Sequence, residues 1–410
     1  MSAEPSARRR LRKRDLGWFL LAAALPVPWM AAYHVGGLGL PPEWQAILAG
    51  SAILGSAFML SWSMELAERD IPQNLALLVL ALVSVLPEYA VDLHFAITAA
   101  EKPEYSHYAI ANMTGANRLL IGLGWAVVVL IACHRSKLPS LQIEPHHRLE
   151  IRFLYLATLY SFLIPLDGYV GLVDAGVLLV LFALYVRSAM RGETHEVELV
   201  GPAAILSEEF QDFGRRLWAV VLFVFAAYAI YISAEAFAEG LVHVGRNHAI
   251  DEFLLVQWVA PLASEAPEFG VAILFALRGR GSVGLGALIS SKVNQWTLLV
   301  GALPVAYVAA GGGWRGLPLD GRQTEELVLT SAQSLLATLL ISELRFSRIE
   351  AVLLAALFGV QLVFPDTHVR LAFCALYVVL FLLLMVSSPR RRSAFLALLR
   401  TSPASRPHAA

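Results

Sequence analysis

Twelve apolar runs, each long enough to cross about 30 Å of hydrocarbon, follow one another along this chain. They lie at about 16–36, 43–65, 71–99, 105–133, 149–166 and 169–188, then at about 216–241, 252–278, 282–311, 325–342, 348–365 and 368–388. In lipid every backbone N–H and C=O has to be satisfied within the protein, so such runs fold as helices or close into a barrel. No alternating short strands of the barrel kind are present. The sequence therefore predicts an all-α polytopic membrane protein with about twelve transmembrane helices. A composition of 58% hydrophobic and 15% charged residues fits that class.

Basic residues set the orientation. With the N-terminus inside, 24 of the 31 Lys and Arg fall in cytoplasmic segments, and only Lys102, Arg246, Arg315, Arg322 and Arg370 fall outside. Arg118 and Lys292 lie within predicted helices. The expectation is a plasma or inner membrane protein with both termini cytoplasmic. The arm RRRLRKR at 8–14 resembles a nucleic-acid patch only in isolation; beside a membrane helix it is an orientation signal, and no nucleic-acid partner is expected. Pro26 and Pro28 interrupt the first run and no small-x-small cleavage site follows, so the first helix is read as uncleaved. Residues 1–14 and 401–410 read as disordered tails and 190–214 as a loop. Cys133 and Cys374, both in apolar helices, read as packing residues.

Two runs carry the chemistry. VLPEYAVDL at 85–93 and EAPEFGVAI at 265–273 each set a Pro-Glu pair, Pro87-Glu88 and Pro267-Glu268, near the middle of a long apolar segment. A carboxylate at bilayer depth costs about 2.5–3.5 kcal/mol on insertion scales, so it marks a function. Proline donates no backbone hydrogen bond and frees a carbonyl one turn earlier, at Val83 and Ala263. Acid plus free carbonyl, twice in one chain, is a way to bind a cation within a membrane.

The halves repeat one another. Helices at 43–65 and 216–241 lead to the Pro-Glu helices, then to polar-spotted helices containing NMTGANRLLIGLGW (112–125) and ISSKVNQWTLLVG (289–301). Five helices per repeat is odd, so the second copy is inverted, which puts a substrate site near the midplane where the halves meet. The expected organisation is an arm and extra helix (1–42), a first repeat (43–189), a cytoplasmic loop (190–215), a second repeat (216–365) and an extra helix with a tail (366–410).

The pair LPE…GAN-x-x-[LI] and APE…SSK-x-x-Q resembles the two alpha repeats of the sodium/calcium exchanger (calcium/cation antiporter) superfamily, whose pattern is roughly GTSLPE in one helix and GSNxx[ND] in the next. The resemblance covers about 43–365. It implies that Glu88 and Glu268 ligate calcium or sodium. The positions before them map to Ser84 and Val85, and to Ser264 and Glu265. In the following helices the equivalents are Ala116, Asn117 and Leu120, then Ser291, Lys292 and Gln295; a proton-coupled branch carries a glutamine there. Leu120 departs from a family Asn or Asp, Lys292 from a neutral Asn, and Arg118 from an apolar position.

Asp92 lies one turn beyond Glu88, and Glu265 one turn before Glu268, so each acid pair shares a helix face. Four acids less Arg118 and Lys292 leave a formal −2, enough for one divalent or two monovalent cations. Two readings of Arg118 and Lys292 stay open. Either each tethered cation replaces a transported one, with Lys292 shifting the protein toward monovalent cation/proton exchange, or each pins Asp92 or Glu265 or reaches for the headgroups. Glu65, Glu68, Glu235, Glu239, His94 and His107 read as interfacial groups. Asn112, Asn117 and Asn294 suit either ligation or interhelical bonding.

Gly279-Arg-Gly281-Ser-Val-Gly284 matches a dinucleotide pattern without the strand it needs. No HExxH, paired Cys-x-x-Cys or phosphate loop is present, so no enzyme chemistry and no cofactor are expected. Hard oxygen ligands suit Na+, Ca2+ or H+. The expected function is a secondary cation antiporter working by alternating access, with small inorganic cations and the bilayer as its partners. The other reading is a transporter-like protein that has lost exchange and acts as a sensor or scaffold.

Overall fold

The computed structural model describes residues 5–35, 39–67, 70, 85–190, 199, 201–364 and 366–399. It is almost entirely helical. The first half holds α1 (Pro5–Ala24), α2 (Val27–His34), α3 (Pro42–Ala67) and α4 (Leu86–Thr98). There follow α5 (Tyr105–Ser136), α6 (Arg148–Ser161) and α7 (Leu172–Ala189). After α8 (Pro202–Glu209), the second half holds α9 (Asp212–His248), α10 (Glu252–Leu277) and α11, which spans 281–309. It ends with α12 (Gly321–Ile341), α13 (Arg348–Val363), α14 (Thr367–Ser387) and α15 (Pro389–Ala397). Eight of the described helical stretches are long and apolar enough, by themselves, to cross a membrane. Leu86–Thr98 and Arg348–Val363 are too short for that test, at 13 and 16 residues.

Three expectations change. The first run is not one helix: it breaks at Leu25-Pro26 into α1 and α2, because proline cannot donate into the turn before it. Helix α1 begins at Pro5, inside the segment expected to be a disordered tail, and α8 forms within the expected 190–214 loop. The Pro-Glu segment of the second half, by contrast with the first run, stays one helix. Helix α10 continues through Pro261 and Pro267 for 26 residues, since neighbouring helices tolerate a proline bend where water cannot compete. Residues 71–84, with Ser84 and Val83, lie outside the described residues.

The halves are joined by two short strand pairs that also show their inversion. Ser140–Gln142 (β1), between α5 and α6, pairs antiparallel with Arg345–Ser347 (β4), between α12 and α13. Tyr169–Val170 (β2), between α6 and α7, pairs with Leu317–Pro318 (β3), between α11 and α12. Each pair therefore matches the third loop of one half with the fourth loop of the other. Because β1 and β2 flank opposite ends of α6, the two pairs close opposite ends of the bundle. Only an upside-down second copy makes both pairings equivalent. Capping boxes start α12 (Asp320 with Gln323) and α13 (Ser347 with Glu350) directly after these connections.

The helices form a close pair, α3 with α9, and a larger group on which that pair rests through α10 and α4. The most extensive helix contact is between α3 and α9. Small residues let them approach: Gly50 lies against the Phe237 ring and Gly240 against Ala46. At 37 residues α9 is about 55 Å long, well beyond the hydrocarbon thickness. The larger group has α4, α5, α10 and α11 at its centre, with α10 of the second half on α5 of the first and α4 of the first on α11 of the second. Gly115 of α5 meets the Gln257 carbonyl of α10 so closely that an added Cβ would sit 1.9 Å from the oxygen. Cys133 and Cys374 are buried and unbridged.

Arg118 belongs to the scaffold. Its Nη2 lies 2.7 Å from Glu326 Oε2 on α12, with both side chains 2% exposed. Its Nη1 donates to Gln361 on α13 at 3.4 Å, and its guanidinium covers the Trp258 ring at 4.9 Å. Arg370 of α14 continues the network to Glu325 at 2.9 Å and to Glu326 at 3.8 Å. Arg118 therefore pairs neither with Asp92 nor with Glu265, nor does it reach for a headgroup. The sequence offered no signal for a partner on a helix so distant along the chain.

Two stability predictions follow from this packing, both read by thermal unfolding in detergent. Gly115→Ala forces α5 and α10 apart and costs about 1–3 kcal/mol. Arg118→Ala leaves Glu326 buried beside a more distant Arg370 and costs about 3–5 kcal/mol, whereas the double change Arg118→Met with Glu326→Met recovers most of the loss. Equal losses in the single and double variants would contradict the ion-pair account.

Candidate cation site

Helices α4 and α10 carry four carboxyls into one region. Glu88 and Asp92, in the first and second turns of α4, are buried, as is Glu265 on α10; Glu268 is partly accessible. Glu88 has Glu268, Glu265 and Asp92 as charged neighbours, and the Gln295 amide approaches it. Glu265 in turn feels Glu268, Lys292 and Asp92. The two Pro-Glu acids are thus electrostatic neighbours, and neither is paired with Arg118 or Lys292.

Helices α5 and α11 supply the surrounding polar groups. Asn112 Nδ2 donates to Asp92 Oδ1 at 2.9 Å, and Gln295 Nε2 donates to Glu265 Oε1 at 2.9 Å. Ser291 Oγ donates to Glu268 Oε2. One oxygen each of Glu88 (Oε2), Asp92 (Oδ2) and Glu265 (Oε2) is buried without a hydrogen-bond partner, as are Asn112 Oδ1 and Gln295 Oε1. Buried acceptors left unpaired are costly. Five oxygens of this kind are the donor set a hard cation or a proton takes.

A feature absent from the sequence reading recurs in both helices. Helix α5 widens into a π-helical turn at Leu120–Trp125, and α11 does so at Gln295–Leu299. The turns start at Leu120 and Gln295, which are equivalent in the two repeats. Such turns shift the helix register and release backbone groups from the regular ladder, and they cluster at functional sites. Near the first turn, Gln333 Nε2 of α12 donates to the Arg118 carbonyl at 3.3 Å.

Lys292, fully buried, donates to the Asn117 carbonyl at 3.1 Å and to Asn117 Oδ1 at 2.7 Å. Its Nζ also stands 4.4 Å from the centre of the Trp296 ring. Of the two open readings, the one in which Lys292 pins Asp92 or Glu265 gives way to bonds to Asn117, with Glu265 as a charged neighbour. Asn117 spends its amide N–H on the Met113 carbonyl at 2.8 Å. Ser264 Oγ donates to the Ala260 carbonyl of its own helix at 3.2 Å. Ser84 lies outside the described residues. With Arg118 neutralised by Glu326, the formal balance of the four acids and Lys292 is −3, not the expected −2.

Glu235 and Glu239 line a separate cavity, and Glu68 lies outside the described residues. Glu239 accepts from Tyr105 Oη at 2.6 Å and contacts His94 at 3.3 Å. Glu239 and His94, with Glu235, Glu101 and Lys102, border a cavity of about 280 Å³ by the C-terminal end of α4. His107 contacts Asp320 at 3.4 Å. Sequence reasoning overlooked Glu326, Gln333 and Gln361. A Glu-Glu pair followed by Thr330, Ser331, Gln333 and Ser334 inside the 325–342 run was the available signal. Among the described residues no three acidic, His or Cys side chains converge tightly enough to enclose a metal ion.

Comparison with known proteins agrees with this architecture. The profile of the family "Sodium/calcium exchanger protein" matches residues 44–190 and 218–365. An uncharacterized membrane protein of Methanocaldococcus jannaschii is 23% identical over 283 residues, 68% of this chain and 82% of that protein. Among solved structures, the H+/Ca2+ exchanger CAX superposes with a TM-score of 0.89 at 45% identity, covering 95% of this chain and 97% of that one. Native YfkE gives 0.61 at 14% identity, covering 89% and 99% of the two chains. The sodium-calcium exchanger NCX_Mj gives 0.51 at 19%, covering 85% and 98%. These last two likenesses concern the fold alone. With its profile matched once in each of two inverted halves, the chain belongs to the sodium/calcium exchanger protein family, a family of membrane cation antiporters.

Proposed function

We propose that this antiporter exchanges Ca2+ for protons at the carboxyl cluster of Glu88, Asp92, Glu265 and Glu268. The observation that carries the reading is the set of buried, unpartnered oxygens on Glu88, Asp92 and Glu265. The 45% identity to an H+/Ca2+ exchanger supports the choice of ions. Carboxylate and amide oxygens suit Ca2+, which takes six to eight such ligands at about 2.3–2.6 Å. Ser291 positions Glu268, and Gln295 holds Glu265 while keeping its own oxygen available.

Charge balance supplies the coupling. Four ionised acids and one ammonium leave −3 in a region shielded from water, and such an excess is costly. One Ca2+ with one proton neutralises it; so do three protons. The two neutral states differ by two protons against one Ca2+, so each cycle exchanges about two protons per Ca2+ without net charge movement. Access alternates as the α3/α9 pair moves against the group that carries the acids. The protein sits in the plasma or inner membrane with both termini on the cytoplasmic side. The scaffold reading required each Pro-Glu acid to be locked to Arg118 or Lys292, and neither contact is present.

Purified protein in vesicles, given an outward proton gradient and external Ca2+, takes up Ca2+. Glu88→Gln and Glu268→Gln each remove a ligand and a proton acceptor, and each reduces the rate at least about a hundredfold, a loss of about 2.7 kcal/mol. Undiminished uptake in either variant would remove that residue from the site.

A further inference from the structure

We infer that the Lys292 ammonium is a built-in monovalent cation, occupying a position that a free cation would otherwise take; the inference rests on the exchanger reading above. The position is defined by its surroundings. Lys292 is 0% exposed, and its Nζ is bonded to two oxygens of a single residue, Asn117 O and Oδ1. It faces the Trp296 ring at 4.4 Å and has Glu265 as its charged neighbour. Two oxygen acceptors, an aromatic face and a carboxylate are what a monovalent cation seeks when it leaves water.

The pseudo-symmetry sharpens this. Asn117 and Lys292 are equivalent positions of the two repeats, and here they bond to one another across the junction of α5 and α11. An amide at both positions would turn two oxygens toward this point. Lysine at one of them offers three N–H donors and no acceptor, so it removes one oxygen, engages the other and brings the charge itself. Asn117 is thereby withdrawn from the transported ion. Ca2+ is left to the carboxyl side of the cluster, where the unpartnered oxygens of Glu88, Asp92, Glu265 and Gln295 lie. Lys292 on this account is a specificity-determining residue: it excludes a second, monovalent cation such as Na+ and limits the site to one external metal ion.

Removing the ammonium tests it. In Lys292→Ala the side chain no longer fills the position, and Na+ or methylammonium can replace it. Calorimetry on purified protein is expected to show Na+ binding to Lys292→Ala and none to the wild type. In vesicles, either cation is expected to raise Ca2+ uptake by the variant about tenfold or more and to leave the wild type unchanged. Lys292→Arg keeps a fixed charge and is expected to bind no Na+. A folded Lys292→Ala that binds no Na+ and takes up Ca2+ regardless of either cation overturns the inference. Na+ binding by Lys292→Arg overturns it too, and that variant decides the matter if Lys292→Ala does not fold. Wild-type protein that takes up no Ca2+ would instead strike the exchanger reading, while calorimetry would still decide the role of Lys292.

Discussion

Carboxyls enclosed by helices need compensating positive charge, and that need organises the centre of this protein. Glu88, Asp92, Glu265 and Glu268 are neighbours, and among the described residues Lys292, beside Glu265, is the ammonium next to them. Arg118, the other buried cation of these helices, is committed to Glu326. The deficit is therefore open, and mobile cations or protons have to close it. On the proposal made above, two kinds of ion neutralise the cluster through the same oxygens, so each occupant displaces the other.

The scaffold serves that arrangement. Inverted halves bring α4 of one repeat and α10 of the other together, so a short acidic motif used twice yields four carboxyls in one place. Strand pairs at the two ends tie each half to the other, and the Arg118–Glu326 pair fixes α5 to α12. The π-helical turns follow directly on the polar residues of α5 and α11, where regular helix would hold the backbone groups in its ladder. By contrast, α3 and α9 form their own close-packed pair through Gly50 and Gly240.

Most of the helical architecture was legible because lipid solvation imposes it on the sequence: among the described residues, most of the apolar runs correspond to helices, and the odd number of helices per repeat required the inversion. The acids were legible for the same reason, since a carboxylate in an apolar run stands out. What escaped depends on contacts between distant segments. Nothing local tells Arg118 to choose Glu326, or Lys292 to choose Asn117. The strand pairs are only two or three residues long and arise from loops meeting across the halves. The π-helical turns have no side-chain signature.

The most direct measurement is the proton-to-calcium ratio in sealed vesicles, with internal pH and Ca2+ followed together while an ionophore clamps the membrane potential. Neutral occupancy of four acids and one ammonium predicts about two protons released per Ca2+ taken up, at a rate independent of the imposed potential. A rate that follows the potential, or Ca2+ uptake without proton release, would contradict the account.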